Sequence, residues 1–161
     1  DIIGDTQHHG GNDKAIYAYA REELDYWQSE LSRPLASGCF GENLTTQGVD
    51  LSALLINQRL RIGTAVLEVS VPRQPCSTFA GWLGERGWLK RWTARGDCGT
   101  YLRIISPGRI QPGDSITMDT PPNHDITMRI AFAAKMGNRT LAQRVIEAGC
   151  LPAHQHNNLR T

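Results

Sequence analysis

The sequence predicts a mainly β protein with helices: a mixed β-barrel core, helices inserted into it, and a short helical C-terminal segment. Three observations predict it. Apolar and polar residues alternate over several short runs, Gly- and Pro-rich turns separate those runs, and other stretches follow helical spacing. The 161 residues suffice for one well-buried core, and 40% apolar with 20% charged residues excludes a disordered chain. A formal net charge of +1 gives no strong overall attraction to nucleic acid, so stable nucleic-acid binding is not expected.

The elements follow in order. Ala20, Leu24, Trp27 and Leu31 lie on one helical face over 20–31, and Arg33-Pro34 ends that helix. Leu60 and Ile62, then Leu67, Val69 and Val71, have the two-residue period of half-buried strands, with a bend at Gly63-Thr64. Pro72 and Pro75 remove backbone donors and turn the chain out of the sheet just before Cys76. Residues 79–83 and 88–94 predict two short helices broken by Gly84 and Gly87, with Trp88 and Trp92 on a shared face. Residues 101–105 and 115–118 predict strands, bracketed by turns at Pro107-Gly108 and Pro112-Gly113-Asp114.

Thr120-Pro121-Pro122-Asn123 is the boundary between a barrel domain, 1–122, and a short helical extension, 123–161. Within the extension, 126–132 predicts a last strand and 141–148 a helix stopped by Gly149. The extension is too short for its own core, so it packs on the barrel or on another copy of the chain, leaving a homodimer open. His154 and His156 are expected in a mobile tail. No apolar run is long enough to cross a bilayer and no signal-peptide pattern opens the chain, so a cytoplasmic protein with no membrane partner is expected. Asp1 has no initiator Met before it, and a natural chain that begins earlier is expected.

The cysteines at 39, 76, 98 and 150 form no C-x-x-C pair, so a zinc ribbon is unsupported and reduced thiols are expected. Four constellations carry chemistry. His8-His9-Gly10-Gly11-Asn12-Asp13-Lys14 combines a sharp turn with a titratable His9, or is a polar turn with a structural His. The 38–46 loop, with Glu42, Asn43 and Thr45, offers backbone N–H groups to an anion, although ordinary turns use the same residues. Trp88, Lys90, Arg91, Trp92, Arg95 and Arg103 could grip a phosphate beside a flat heterocycle, or form a solvated face whose tryptophans reach the core. Cys76 is a soft metal ligand or a nucleophile, and Arg73 three residues earlier would favour its thiolate if the two side chains face each other.

Taken in order, these pieces resemble the MOSC family, named for the C-terminal domain of molybdenum cofactor sulfurase, and within it the stand-alone bacterial YiiM-like branch. The resemblance rests on 9–11 with 13–19, 40–45, 61–69, Pro72-Arg73-Gln74-Pro75-Cys76, and 99–103 before Pro112-Gly113-Asp114. It implies a mixed barrel of the pyruvate-kinase β-barrel type that binds the molybdenum cofactor, molybdopterin, with Cys76 as metal ligand and catalytic residue. Arg73, Lys90, Arg91 and Arg103, with Glu42, Asn43, Thr45 and His9, are the candidate cofactor-binding residues. The implied activity is an oxidoreductase that reduces small N-hydroxylated bases and detoxifies mutagenic base analogues, with electrons from a donor protein. Pyridoxal phosphate binding is a further association of the family. Two alternatives stay open: a cofactor carrier or sulfur-transfer domain using a Cys76 persulfide, and a non-catalytic barrel that binds through the 88–95 face.

Overall fold

Strand pairing in a computed structural model, which describes residues 11–159, gives one six-stranded sheet curled into a half-barrel, in the order β2-β1-β5-β4-β3-β6. The strands are β1 (Ile16–Ala20), β2 (Leu44–Thr46), β3 (Arg59–Ile62), β4 (Ala65–Val69), β5 (Thr100–Ser106) and β6 (Ile116–Met118). β1 and β2 run parallel and every other pairing is antiparallel, so the sheet is mixed as expected.

β3 and β4 show the alternation that made them visible, with Leu60, Ile62, Ala65, Leu67 and Val69 buried. Gly63 joins them at φ +56, where an added Cβ would lie 2.2 Å from the Arg109 carbonyl oxygen, so the turn requires glycine. β1 escapes the period-two test because four consecutive residues, Tyr17 to Ala20, are all buried. A strand covered on both faces reads as a continuous apolar run.

Helix α1 (Arg21–Leu31) buries Leu24 and Trp27, and Ser32 ends it in the left-handed conformation. Helices α2 (Ser77–Leu83) and α3 (Trp88–Arg95) follow the strand exit. Trp88 and Trp92 are both buried, so the tryptophans of the basic helix reach the core. They join Trp27, Phe40, Phe79 and Phe132 in edge-to-face contacts, with ring centroids 4.6 Å apart for Trp27–Trp88 and 5.6 Å for Trp92–Phe132.

The expected last strand at 126–132 is absent. Only an isolated bridge between Leu55 and Thr127 forms, and helix α4 (Met128–Lys135) follows at once. Thr127 caps it by accepting the Ile130 N–H at 3.2 Å, and Met128, Ala131, Phe132 and Ala134 bury a helical face. Helix α5 (Arg139–Ala148) matches its expectation and ends at Gly149. The expected mobile tail instead contains a short helix, α6 (Ala153–Asn157). The C-terminal helices share the barrel's core: Phe132, Val145 and Leu151 belong to the same buried cluster as Leu60 and Leu67. Among the described residues no helix is long and apolar enough to cross a membrane.

Candidate active site at Cys76

The strand carrying the sequence to Cys76 leaves the sheet in two steps. Beyond β4, the Ser70 N–H still donates to the Tyr101 carbonyl at 3.0 Å, and the Tyr101 N–H donates to Val71 at 3.1 Å. Pro72 and Pro75 then offer no N–H, and Cys76 becomes the N-cap of α2. Its Sγ accepts the Phe79 N–H at 3.4 Å, so the thiol is anchored where the chain turns.

Cys76 is half-buried in a cleft of about 430 Å3. Lys14 and Arg73 supply two cations to its wall, Tyr101 a phenol, and Ser77, Thr78 and Gln155 further polar groups; no carboxylate lines it among the described residues. A larger depression of about 650 Å3 lies over Asn57, Arg59, Glu68 and Asp119. Its charges pair with one another or with neighbours, Arg59 with Glu68 at 3.0 Å and Asp119 with Arg61 at 2.7 Å, so it leaves little net attraction for a ligand.

Arg73 is fixed with unusual completeness. Its guanidinium lies 4.2 Å from the Phe79 ring centroid and 4.6 Å from that of Tyr17, and it donates to the Phe40 carbonyl. Burial works against its charge, but the Tyr17, Tyr101 and Cys76 side chains favour it, and its pKa is held above the usual guanidinium range. Burial raises the Tyr101 phenol pKa more than Arg73 lowers it, so this side chain remains a proton-bearing donor at neutral pH. Tyr17 is pushed up by burial in the same way and donates to the Cys98 carbonyl at 2.8 Å.

The other sequence candidates take different places. Glu42 accepts the Gly38 N–H at 2.6 Å, the Phe40 N–H at 3.0 Å and the Thr45 hydroxyl at 3.1 Å. The loop N–H groups expected to hold an anion are therefore taken by its own carboxylate. Asn43 accepts the Tyr17 N–H at 2.8 Å and ties the loop to β1. The loop builds the wall behind Arg73 and lies outside the cleft lining.

Arg103 forms ion pairs with Asp13 at 2.8 Å and Glu68 at 2.7 Å, and donates to Asn57 at 3.1 Å. Arg91 pairs with Glu30 at 3.5 Å beside Trp27, and Lys90 is exposed on α3; neither lines the Cys76 cleft. His9 lies outside the described residues.

Ser77, Thr78, Tyr101 and Gln155 in the cleft were not named as site candidates. Tyr101 was visible as a strand residue and as part of the 99–103 stretch, and Gln155 comes from α6, with its carbonyl accepting the Lys135 ammonium at 3.1 Å. Burial, and next the Lys14 charge, lower the Lys135 pKa. A basic residue after a run of apolar helix carries no signal for its contact with Gln155. Among the described residues all four cysteines are free; burial pushes Cys98 and Cys150 up, and burial with Glu42 does so for Cys39. No group of three or more potential metal ligands occurs among the described residues, so Cys76 stands without a protein cage around it.

Comparisons with known proteins agree with this architecture. Residues 5–117 match the family model of the MOSC domain. The chain is 35% identical over 154 residues to YflK of Bacillus subtilis, covering 94% of this chain and 70% of YflK. It is 31% identical over 128 residues to YiiM of Escherichia coli, covering 78% of this chain and 57% of that protein. A reductase of Gibberella moniliformis is 30% identical over 125 residues, of which this chain spans only 22%. The crystal structure of YiiM from Geobacillus stearothermophilus superposes with a TM-score of 0.83 at 29% identity, covering 94% of this chain and 79% of that one. With its half-barrel, its strand exit at Cys76 and these matches, the chain belongs to the MOSC domain family.

Proposed function

We propose that this chain binds the molybdenum cofactor in the Cys76 cleft and reduces N-hydroxylated bases or related small N-hydroxy compounds. The observation that carries the reading is one cleft in which a thiol sits beside Arg73 and Lys14 with no carboxylate on the described lining. The donor set fits the group: a thiolate is a soft metal ligand, and a guanidinium with an ammonium suits the phosphate and other anionic oxygens of a pterin cofactor. The family's association with the molybdenum cofactor supports the same reading.

When bound, the cofactor supplies the two-electron exchange that breaks the N–O bond. Cys76 would hold the metal, and Arg73 and Lys14 would hold anionic oxygens of the cofactor. The Tyr101 phenol, which keeps its proton at neutral pH, would donate a hydrogen bond to a bound substrate oxygen. The balanced sum is R–NHOH + 2e⁻ + 2H⁺ → R–NH2 + H2O, with electrons from a donor protein.

The test is metal analysis of the purified protein and its Cys76→Ser variant, together with reduction of a hydroxylamino-base. Molybdenum bound by the wild type and lost by the variant is the expected result. Full retention by the variant removes Cys76 as a ligand. A Cys76 persulfide found by mass spectrometry, without base reduction, replaces the reductase with a sulfur carrier. A pyridoxal phosphate absorbance in place of molybdenum redirects the cationic cleft to that cofactor.

A further inference from the structure

Helix α2, which Cys76 caps, ends in an exposed tryptophan that the core does not use. Trp82 is 76% exposed, the largest exposure among the large hydrophobic side chains of the described residues. Its indole is nevertheless fixed, because Nε1 donates to the Cys39 carbonyl at 2.9 Å. An added Cβ at Gly81, Gly84 or Gly87 would meet nothing within 4 Å, so the surface around the indole is bare. A large aromatic held in one orientation on open ground has already lost the freedom that binding would otherwise take from it.

Two exposed cations follow it in the chain. Arg86 lies exposed in the turn after α2, and Lys90 one turn into α3. Glu85, the carboxylate of this turn, lies 3.7 Å from Arg33. Arg91 and Arg95 have their own partners in Glu30 and Glu23. Among the described residues no carboxylate lies within ion-pair reach of Arg86 or Lys90. Trp82 follows Cys76 by six residues, about 9 Å of helix axis.

We propose that Trp82, Arg86 and Lys90 form the docking surface for an acidic electron-donor protein, a proposal that rests on the reductase reading above. A fixed Trp with flanking cations is the kind of anchor that dominates small interfaces, and charge complementarity speeds encounter in transient ones. The reductase needs two electrons for each N–O bond, and Trp82 lies on the helix that the thiol caps. Nucleic acid fits less well: two unpaired cations neutralise about two phosphates, a small share of what stable binding requires. A second copy fits less well too, because a two-fold contact sets the same cations against each other.

The probe is flavodoxin, an acidic flavin protein. Its binding is measured by titration at low and high ionic strength, against wild type, Trp82→Ala and Arg86→Glu. Reduction of a hydroxylamino-base is measured in parallel with a small viologen donor that needs no docking. Binding by the wild type should weaken as salt rises, fall about 30-fold in Trp82→Ala and fall severalfold in Arg86→Glu, with viologen-driven reduction unchanged. Absence of flavodoxin binding at low salt, or binding indifferent to both substitutions, overturns the proposal. So does a concentration-dependent dimer lost in Trp82→Ala, or oligonucleotide binding lost in Arg86→Glu, since each names another occupant. Trp82-dependent flavodoxin binding without any viologen-driven reduction sinks the reductase reading and leaves the acidic-partner surface standing.

Discussion

Arg103 holds Asp13 through two of its nitrogens, Nε at 2.9 Å and Nη2 at 2.8 Å from the same carboxylate oxygen. The next residue is Lys14, which lines the Cys76 cleft. Ser70 adds a hydroxyl bond to the Asp13 carbonyl, so the segment is pinned by both a charge and a strand. Arg103 is thereby a positioning residue: its own guanidinium is occupied by Asp13 and Glu68, and it presents its neighbour's ammonium to the cleft. Arg103→Ala should destabilise the fold by about 2 kcal/mol in urea unfolding, because it removes the Arg103 cation from two partly buried carboxylates, of which Glu68 keeps Arg59. Lys14→Ala should weaken molybdenum retention with a smaller stability loss than Arg103→Ala. Equal stability losses in the two variants would contradict this division of roles.

Cys76→Ser should separate chemistry from stability. The Sγ caps α2 by accepting the Phe79 N–H at 3.4 Å, and serine is a preferred residue at this position. Thermal unfolding should therefore show the variant within about 1 kcal/mol of the wild type. Loss of bound molybdenum with the melting transition retained then reports the missing sulfur. A large drop in melting temperature would assign Cys76 a structural role instead.

What the sequence made legible follows from which signals are local. The Leu60, Ile62, Leu67 and Val69 alternation is a local consequence of one buried face, and so is the helical face of Leu24 and Trp27. The two prolines around Cys76 act through their own missing N–H groups, which is why the strand exit was readable. Glu42 and Arg103 were not readable as they are. A carboxylate that folds back on Gly38 and Phe40 looks the same in sequence as one that faces a ligand. Arg103 meets Asp13 across ninety positions, and no periodicity encodes that pairing. Gln155 reaches the cleft only because α4 and α5 reverse the chain onto the barrel.

The 126–132 segment shows a local signal overruled. Ile126, Met128 and Ile130 mimic strand alternation, yet Met128, Ala131 and Phe132 are the residues that a helix buries together. Thr127 decides the outcome by capping Ile130, so Thr127→Ala should cost about 1 kcal/mol. The loss is read in urea unfolding, with Thr127→Ser as the restoring control. A Thr127→Ala variant as stable as the wild type would show that burial alone sets the helix.

Asp97 gives the pH dependence. Burial is the largest influence on its carboxyl and the Glu23 charge the next, and together they raise its pKa despite the Gly99 N–H and Arg129, 3.9 Å away. A carboxyl with a raised folded-state pKa binds its proton more tightly when folded than when unfolded. Its contribution is therefore favourable at acid pH and is lost as pH rises from the unfolded value near 4 through the folded one. Asp97→Asn keeps an oxygen that can accept the Gly99 N–H, at 3.2 Å in the wild type, and removes the ionisation. Urea unfolding across that window should show the variant gaining on the wild type as pH rises, with the difference levelling off above the Asp97 pKa. A difference that shrinks with rising pH would mean that the Arg129 contact outweighs burial, and that Asp97 is a net stabilising anion.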